Sequence, residues 1–257
     1  MPAFLLSLLG ALVVSAFAQP ALAQPDDTCH ARIEAVTVAV EGEARIAALS
    51  AMDARCREHP YYHYSLGKAY VVTGRFDEAR AAFDAGLANP GEFAHILKLA
   101  TGDIELYRHR YGRAAAIYRT VTQEYPEWHV GFEYLGFALF ADGELDTART
   151  ALERSIALRE SADAYRTLTL VYYLQGAFEQ ATDALNRGYS LNEALLGDRD
   201  FMVAGVRSYT ELGRFDVARG LLAAMLKANS ALKEDPEFLN AGHYLRARMV
   251  EAGLIED

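Results

Sequence analysis

The chain has 257 residues, and 25 Lys and Arg stand against 35 Asp and Glu, a net charge of -10. Nucleic-acid binders present basic, patched surfaces, so this balance excludes a generic DNA or RNA partner. A hydrophobic share of 52% with only 7 Pro supplies a sizeable core and excludes global disorder. Two cysteines are too few for a disulfide-rich mini-fold or a four-cysteine zinc site.

In chain order, residues 1–23 carry no charged side chain, and Phe4 to Ala18 is an almost unbroken apolar run. Gln19-Pro20 breaks any helix, and Ala21-Leu22-Ala23 places small residues at the -3 and -1 positions before Gln24. This pattern predicts a secretory leader cut after Ala23, although no Lys or Arg stands in its first residues. Fifteen apolar residues reach about 22 Å as a helix, short of the roughly 30 Å hydrocarbon core. No membrane insertion is therefore expected after cleavage, and the exported chain would be periplasmic. Asp26-Asp27 reads as a solvated end.

Helices are predicted for Thr28 to Val40 and for Glu43 to Arg57, with a fold-back at Glu41-Gly42. Such a hairpin brings Cys29 and Cys56 together at its open end. In an exported compartment the pair is expected to oxidise to a structural disulfide. Neither cysteine belongs to a C-x-x-C motif, so a redox-active pair is not expected.

The rest of the chain repeats. Gly74-Arg75-Phe76-Asp77-Glu78-Ala79-Arg80 returns as Gly213-Arg214-Phe215-Asp216-Val217-Ala218-Arg219. Looser copies are Gly143-Glu144-Leu145-Asp146-Thr147-Ala148-Arg149, Gly176-Ala177-Phe178-Glu179-Gln180-Ala181, and Arg110-Tyr111-Gly112-Arg113-Ala114, the last without the leading glycine. The large residues Phe76, Tyr111, Leu145, Phe178 and Phe215 are 35, 34, 33 and 37 positions apart. The first copy also carries Leu66-Gly67, Tyr70, Ala79, Phe83 and Gly86; the third, Leu135-Gly136, Leu139, Ala148, Leu152 and Ser155. The fourth carries Leu168, Tyr172, Ala181, Leu185 and Gly188, and the fifth Tyr209, Ala218 and Leu222. The second keeps Gly102, Ala114, Tyr118, Val121 and Pro126, with Glu105 where Tyr is usual.

This phasing resembles the tetratricopeptide repeat, a pair of antiparallel helices of about 34 residues. The resemblance covers about Pro60 to Asn229. It implies an all-α, right-handed α-solenoid of helix hairpins, about five repeats with capping helices and some 13 helices in all. The expected division is a leader at 1–23, a capping hairpin at 24–59, repeats at 60–231 and a capping helix at 232–257. The glycine of each turn is expected in the left-handed conformation that ends a helix. The wide spacing before the fifth repeat predicts a longer helix or an extended loop near Asn192 to Arg199.

No nucleophile elbow, zinc-protease signature, phosphate loop or calcium loop occurs. His59 and His63 stand four apart, but Pro60 opens a helix after His59, so a capping or surface role is expected for the pair. Asp198-Arg199-Asp200 reads as a helix start before Phe201. No catalytic residue, metal ligand or cofactor is assigned.

The resemblance further implies a concave groove, lined by the first helices, that takes a partner peptide or helix. Carried over position by position, the lining includes Tyr61, Tyr64, Lys68, Leu99, Asp103, Glu133, Phe137, Phe140, Arg166, Leu170, Tyr173 and Arg207. Its aromatics would form an apolar floor, and Lys68, Arg166 and Arg207 would hold a polar or acidic partner. Relatives that clamp a terminal carboxylate use Lys and Asn at the places held here by Tyr64 and Lys68, so that clamp is absent. The expected function is a non-catalytic protein-interaction scaffold of the bacterial cell envelope. The alternatives are a glycan-binding helper of an exopolysaccharide export system and an enzyme with a dispersed site.

Overall fold

The computed structural model describes residues 25–256; the leader expected at 1–23 lies outside them. Among the described residues there are fourteen α-helices and three short 3-10 turns, and no strand. The first helices are α1 (Pro25–Ala39), α2 (Gly42–Ser50) and the single turn α3 (Ala54–Arg57). Five hairpins follow: α4 (Pro60–Val72) with α5 (Phe76–Leu87), α6 (Ala94–Tyr107) with α7 (Tyr111–Glu124), α8 (His129–Ala141) with α9 (Leu145–Leu158), α10 (Ala162–Leu174) with α11 (Phe178–Leu191), and α12 (Arg199–Glu211) with α13 (Phe215–Ala228). A last helix, α14 (Pro236–Glu251), packs on α12 and α13.

The expected helix over Glu43 to Arg57 is broken. Asp53 adopts an extended conformation, and its carboxylate accepts the Cys56 N–H at 3.1 Å. The other oxygen pairs with Arg32 of α1 at 2.7 Å. Asp prefers this capping role to a helix interior, so the chain stops at Ser50 and restarts at Ala54. Cys29 and Cys56 stand at disulfide distance with Cα atoms 5.1 Å apart, both buried beside Ile33, Leu49 and Tyr62.

Within each of the first three hairpins a glycine of the inner helix receives a large residue of the outer one. A Cβ on Gly67 would stand 2.2 Å from the Phe83 ring, and one on Gly102 2.4 Å from that of Tyr118. A Cβ on Gly136 would stand 2.5 Å from Leu152. Phe83, Tyr118 and Leu152 are wholly buried, so these contacts form the spine of the core. The turn glycines have positive φ, as expected; Gly74, for example, lies at +75°. In the second repeat His109 takes that place at φ 56°, among the described residues the one non-glycine in that region.

Glu105 has an equally local reason. In the first repeat the Arg75 guanidinium lies 4.5 Å over the Tyr70 ring. At the equivalent places of the second, Arg110 pairs instead with the buried Glu105 at 3.4 Å, and Arg80 joins it at 3.3 Å.

The 37-residue spacing arises from a loop, not a longer helix. Asn192 caps a 3-10 turn by accepting the Ala194 N–H, and Asp198 caps α12 by accepting the Phe201 N–H at 3.0 Å. The same device recurs 37 residues later. Asn229 accepts from Ala231, and Asp235 accepts from Phe238 at 2.9 Å to start α14. Thus α14 enters the solenoid in the way a first helix does.

Candidate functional site

The inner layer runs α4, α6, α8, α10, α12, α14. Neighbours in it pack directly except α6 and α8, whose backbones scarcely meet. Tyr118 and Tyr134, edge to face at 5.5 Å, fill the space between them. Burial pushes the Tyr134 hydroxyl up to about 12.

Beside that seam opens a cleft of about 240 Å³. Its walls are Leu106 of α6, Glu133, Tyr134 and Phe137 of α8, and Asp163, Arg166 and Thr167 of α10. The next repeat contributes a second cleft of about 200 Å³. Its floor is Phe140, Leu170, Tyr173 and Val203, and its rim is Asp200, Arg207 and Glu237. Both clefts are half-open and mostly apolar, with a few polar groups at the edge, the usual make-up of a recognition surface. At the far end, Tyr61 stacks on Tyr64 at 5.6 Å and contacts His30 at 4.4 Å and Phe93 at 5.6 Å.

Of the residues expected to line the groove, Phe137, Phe140, Leu170, Tyr173, Glu133, Arg166 and Arg207 gather in the two clefts. Tyr61 and Tyr64 belong to the aromatic end. Leu99 and Asp103 are buried in the core and offer no surface to a partner.

The three cations hold their neighbours instead of standing open to an acidic partner. Lys68 Nζ lies 2.5 Å from Asp103 Oδ2 across α4 and α6. Burial opposes the charge on Lys68, but Asp103 outweighs it and raises its pKa. Arg166 sits between Asp163 at 3.8 Å and Asp198 at 3.4 Å. Arg207 pairs with Glu237 of α14 at 3.5 Å and donates to the Tyr173 hydroxyl at 3.2 Å. The pairs with Asp103, Asp198 and Glu237 each join one inner helix to the next repeat. Glu133, in contrast, has its pKa raised, chiefly by burial, despite help from Ser161 and Arg166.

The repeat register already puts Asp163 and Asp200 at inward positions, without a role; Glu237 as a groove residue and Asp198 as an ion-pair partner were missed. The signal was present in the shared interval between Asp198 and Asp235, which places Glu237 in register with Asp200. His59 caps α4, its Nδ1 accepting the Tyr61 N–H at 3.1 Å, with Pro60 in the first turn. Among the described residues the metal-sized group is Cys29, Asp53 and Cys56, and its sulfurs face each other at bonding distance. No described helix is long and apolar enough to cross a membrane.

The fold and its inner groove define an α-solenoid built from helix hairpins. Two family models described as tetratricopeptide repeat match residues 41–93 and 133–154. These two segments carry tetratricopeptide repeats, and the hairpins around them share their fold. Solved structures of the same fold include YrrB, described as a TPR protein with an unusual peptide-binding site. It is 15% identical at a TM-score of 0.55, over 73% of this chain and 93% of that one. MamA is 23% identical at 0.54, over 69% and 95%. PilF of Pseudomonas aeruginosa is 16% identical at 0.64, over 84% and 97%. At these identities the likeness is one of fold. A search of curated proteins returns no match.

Proposed function

We propose that this chain is a non-catalytic protein-interaction scaffold of the bacterial cell envelope, exported to the periplasm, that takes a partner peptide or helix in its concave groove. The observation that carries the reading is the pair of apolar clefts on consecutive inner helices, floored by Phe137, Phe140, Leu170 and Tyr173. Rigid aromatics in partly desolvated pockets are the usual anchors of protein interfaces. The solenoid, the peptide-binding site described for YrrB, and the uncharged, apolar-rich stretch at 1–23 followed by two cysteines at disulfide distance support it further.

Site-specific photocrosslinking tests it. A photoreactive residue in place of Phe137 should trap a polypeptide in envelope preparations, whereas one in place of Arg219, on the outer helix α13, should not. Phe137→Ala with Leu170→Ala, folded by circular dichroism, should abolish the trapped product at a third groove position. Equal trapping from both faces rejects the groove.

A further inference from the structure

We infer that the occupant of the groove is a basic, apolar, extended segment: a polypeptide stretch with large apolar side chains about three positions apart and Lys or Arg between them. The inference rests on the groove reading above and adds to it the chemistry of the partner.

Charge is the first argument. The two clefts are lined by four carboxylates, Glu133, Asp163, Asp200 and Glu237, and by two guanidiniums, Arg166 and Arg207. Those guanidiniums are already engaged. Arg166 serves Asp163 and also Asp198, and Arg207 serves Glu237 and the Tyr173 hydroxyl. The Asp200 carboxylate meets Arg199, which is shared with Asp235. Lys68, the remaining cation of the expected lining, is held by the buried Asp103. An acidic segment would meet excess negative charge and would have to break these inter-repeat pairs to find a cation. A basic one finds carboxylates in excess. Like-charge juxtaposition penalises the wrong partner more than attraction rewards the right one.

Geometry is the second argument. The clefts repeat on consecutive inner helices, whose axes are about 8–10 Å apart in such packing. A chain in polyproline II extension advances about 3.1 Å per residue with three residues per turn, so roughly three residues carry it from one cleft to the next with the side chain again facing the groove. Apolar side chains at that interval would fill both floors, and the residues between them would pass the acidic rim.

The test is calorimetry on the full chain with three short synthetic peptides. Each has leucines three positions apart, and the intervening residues are lysine, glutamine or glutamate. The lysine peptide should bind about tenfold more tightly than the glutamate one, the gain from two or three exposed charge pairs. That difference should shrink as salt is raised. Glu133→Gln with Asp163→Asn and Glu237→Gln should narrow it at least threefold. If the glutamate peptide binds as well as the lysine one, and Phe137→Ala with Leu170→Ala weakens both, the charge assignment is wrong and the groove stands. If the peptides bind equally to that apolar variant, or none binds at all, the groove reading falls and this inference with it.

Discussion

Lys68 and Asp103 form an ion pair between the first two repeats, with Nζ and Oδ2 2.5 Å apart and the Asp103 side chain 2% exposed. The second oxygen of Asp103 accepts the Tyr118 hydroxyl at 2.7 Å, so this carboxylate ties the inner layer to the outer one. Removing the cation strands a buried charge. Lys68→Met should therefore cost about 2–3 kcal/mol in urea unfolding, less than a fully buried pair because Lys68 keeps 25% exposure. Lys68→Met with Asp103→Asn should recover most of the loss, since Asn still accepts from Tyr118. The raised Lys68 pKa fixes the pH window: its stabilisation is complete below the ordinary 10.5 and disappears as pH climbs through the higher folded value. A double variant no more stable than Lys68→Met would refute the pairing.

The glycines divide into two kinds, and substitution should separate them. Alanine at Gly136 puts a Cβ 2.5 Å from Leu152 and 3.3 Å from the Ala148 carbonyl oxygen, so two helices must move apart. About 2–3 kcal/mol of destabilisation is expected. Alanine at Gly74 meets nothing within 4 Å, but its φ of +75° imposes strain of about 1 kcal/mol. Thermal unfolding of the two variants should give that order.

These two kinds were legible in the sequence to different degrees. Hairpin phasing is written in Gly67, Phe83 and their counterparts because each contact joins residues at a fixed interval within one repeat. The left-handed turn at His109 was hidden because its conformation comes from the hairpin and not from the residue type. The ion pairs of Lys68, Arg166 and Arg207 reach from one repeat to the next. Their partners depend on the superhelical register, which the sequence does not state. So these three cations read as groove chemistry and are inter-repeat clamps. The break at Asp53 was missed because its alternative, a mid-helix Asp in an amphipathic run, leaves the same pattern.

Asp198 and Asp235 play matched parts, each capping an inner helix and each accepting an arginine from the repeat before: Arg166 at 3.4 Å and Arg199 at 3.1 Å. Asp198→Ala and Asp235→Ala should each cost about 1–2 kcal/mol, chiefly through the lost cap. Asparagine at either place should restore most of it, because the cap needs only a side-chain oxygen. Hydrogen exchange should localise the effect to the first turn of α12 or α14. A loss spread over the whole chain would point to a different role.

Cys29 and Cys56 are 27 positions apart, and a disulfide closing that loop stabilises by about 3.5 kcal/mol in the chain-entropy model. Both sulfurs are buried, so the native chain purified without reductant should resist alkylation and lose two mass units' worth of hydrogen. Reduction, or Cys56→Ser, should open α1 to α3 while the hairpins from α4 onward stay folded. Intact-mass analysis with and without reductant decides whether the bond forms. Limited proteolysis shows whether only the cap has opened.

Glu133 supplies the pH prediction that separates folding from binding. Its folded pKa is raised, mainly because burial disfavours the carboxylate, with Asp163 adding repulsion. A raised carboxylate pKa means that the folded state holds the proton more tightly than the unfolded state does. The group therefore aids folding at acid pH, and that aid is lost as pH rises through the folded value. At neutral pH the charged side chain is a burden on the fold. Glu133→Gln should remove it, raising stability at pH 7 by a few tenths to about 1 kcal/mol. The two proteins should converge as pH falls well below the ordinary value of about 4.3, where the carboxyl becomes neutral in both states. Melting temperatures of the pair across that range provide the check. A glutamine variant less stable at pH 7 would mean that Arg166 stabilises the carboxylate more than burial destabilises it. The gain in stability should come with weaker binding of the lysine peptide, the pattern expected where a strained charge is kept for a partner.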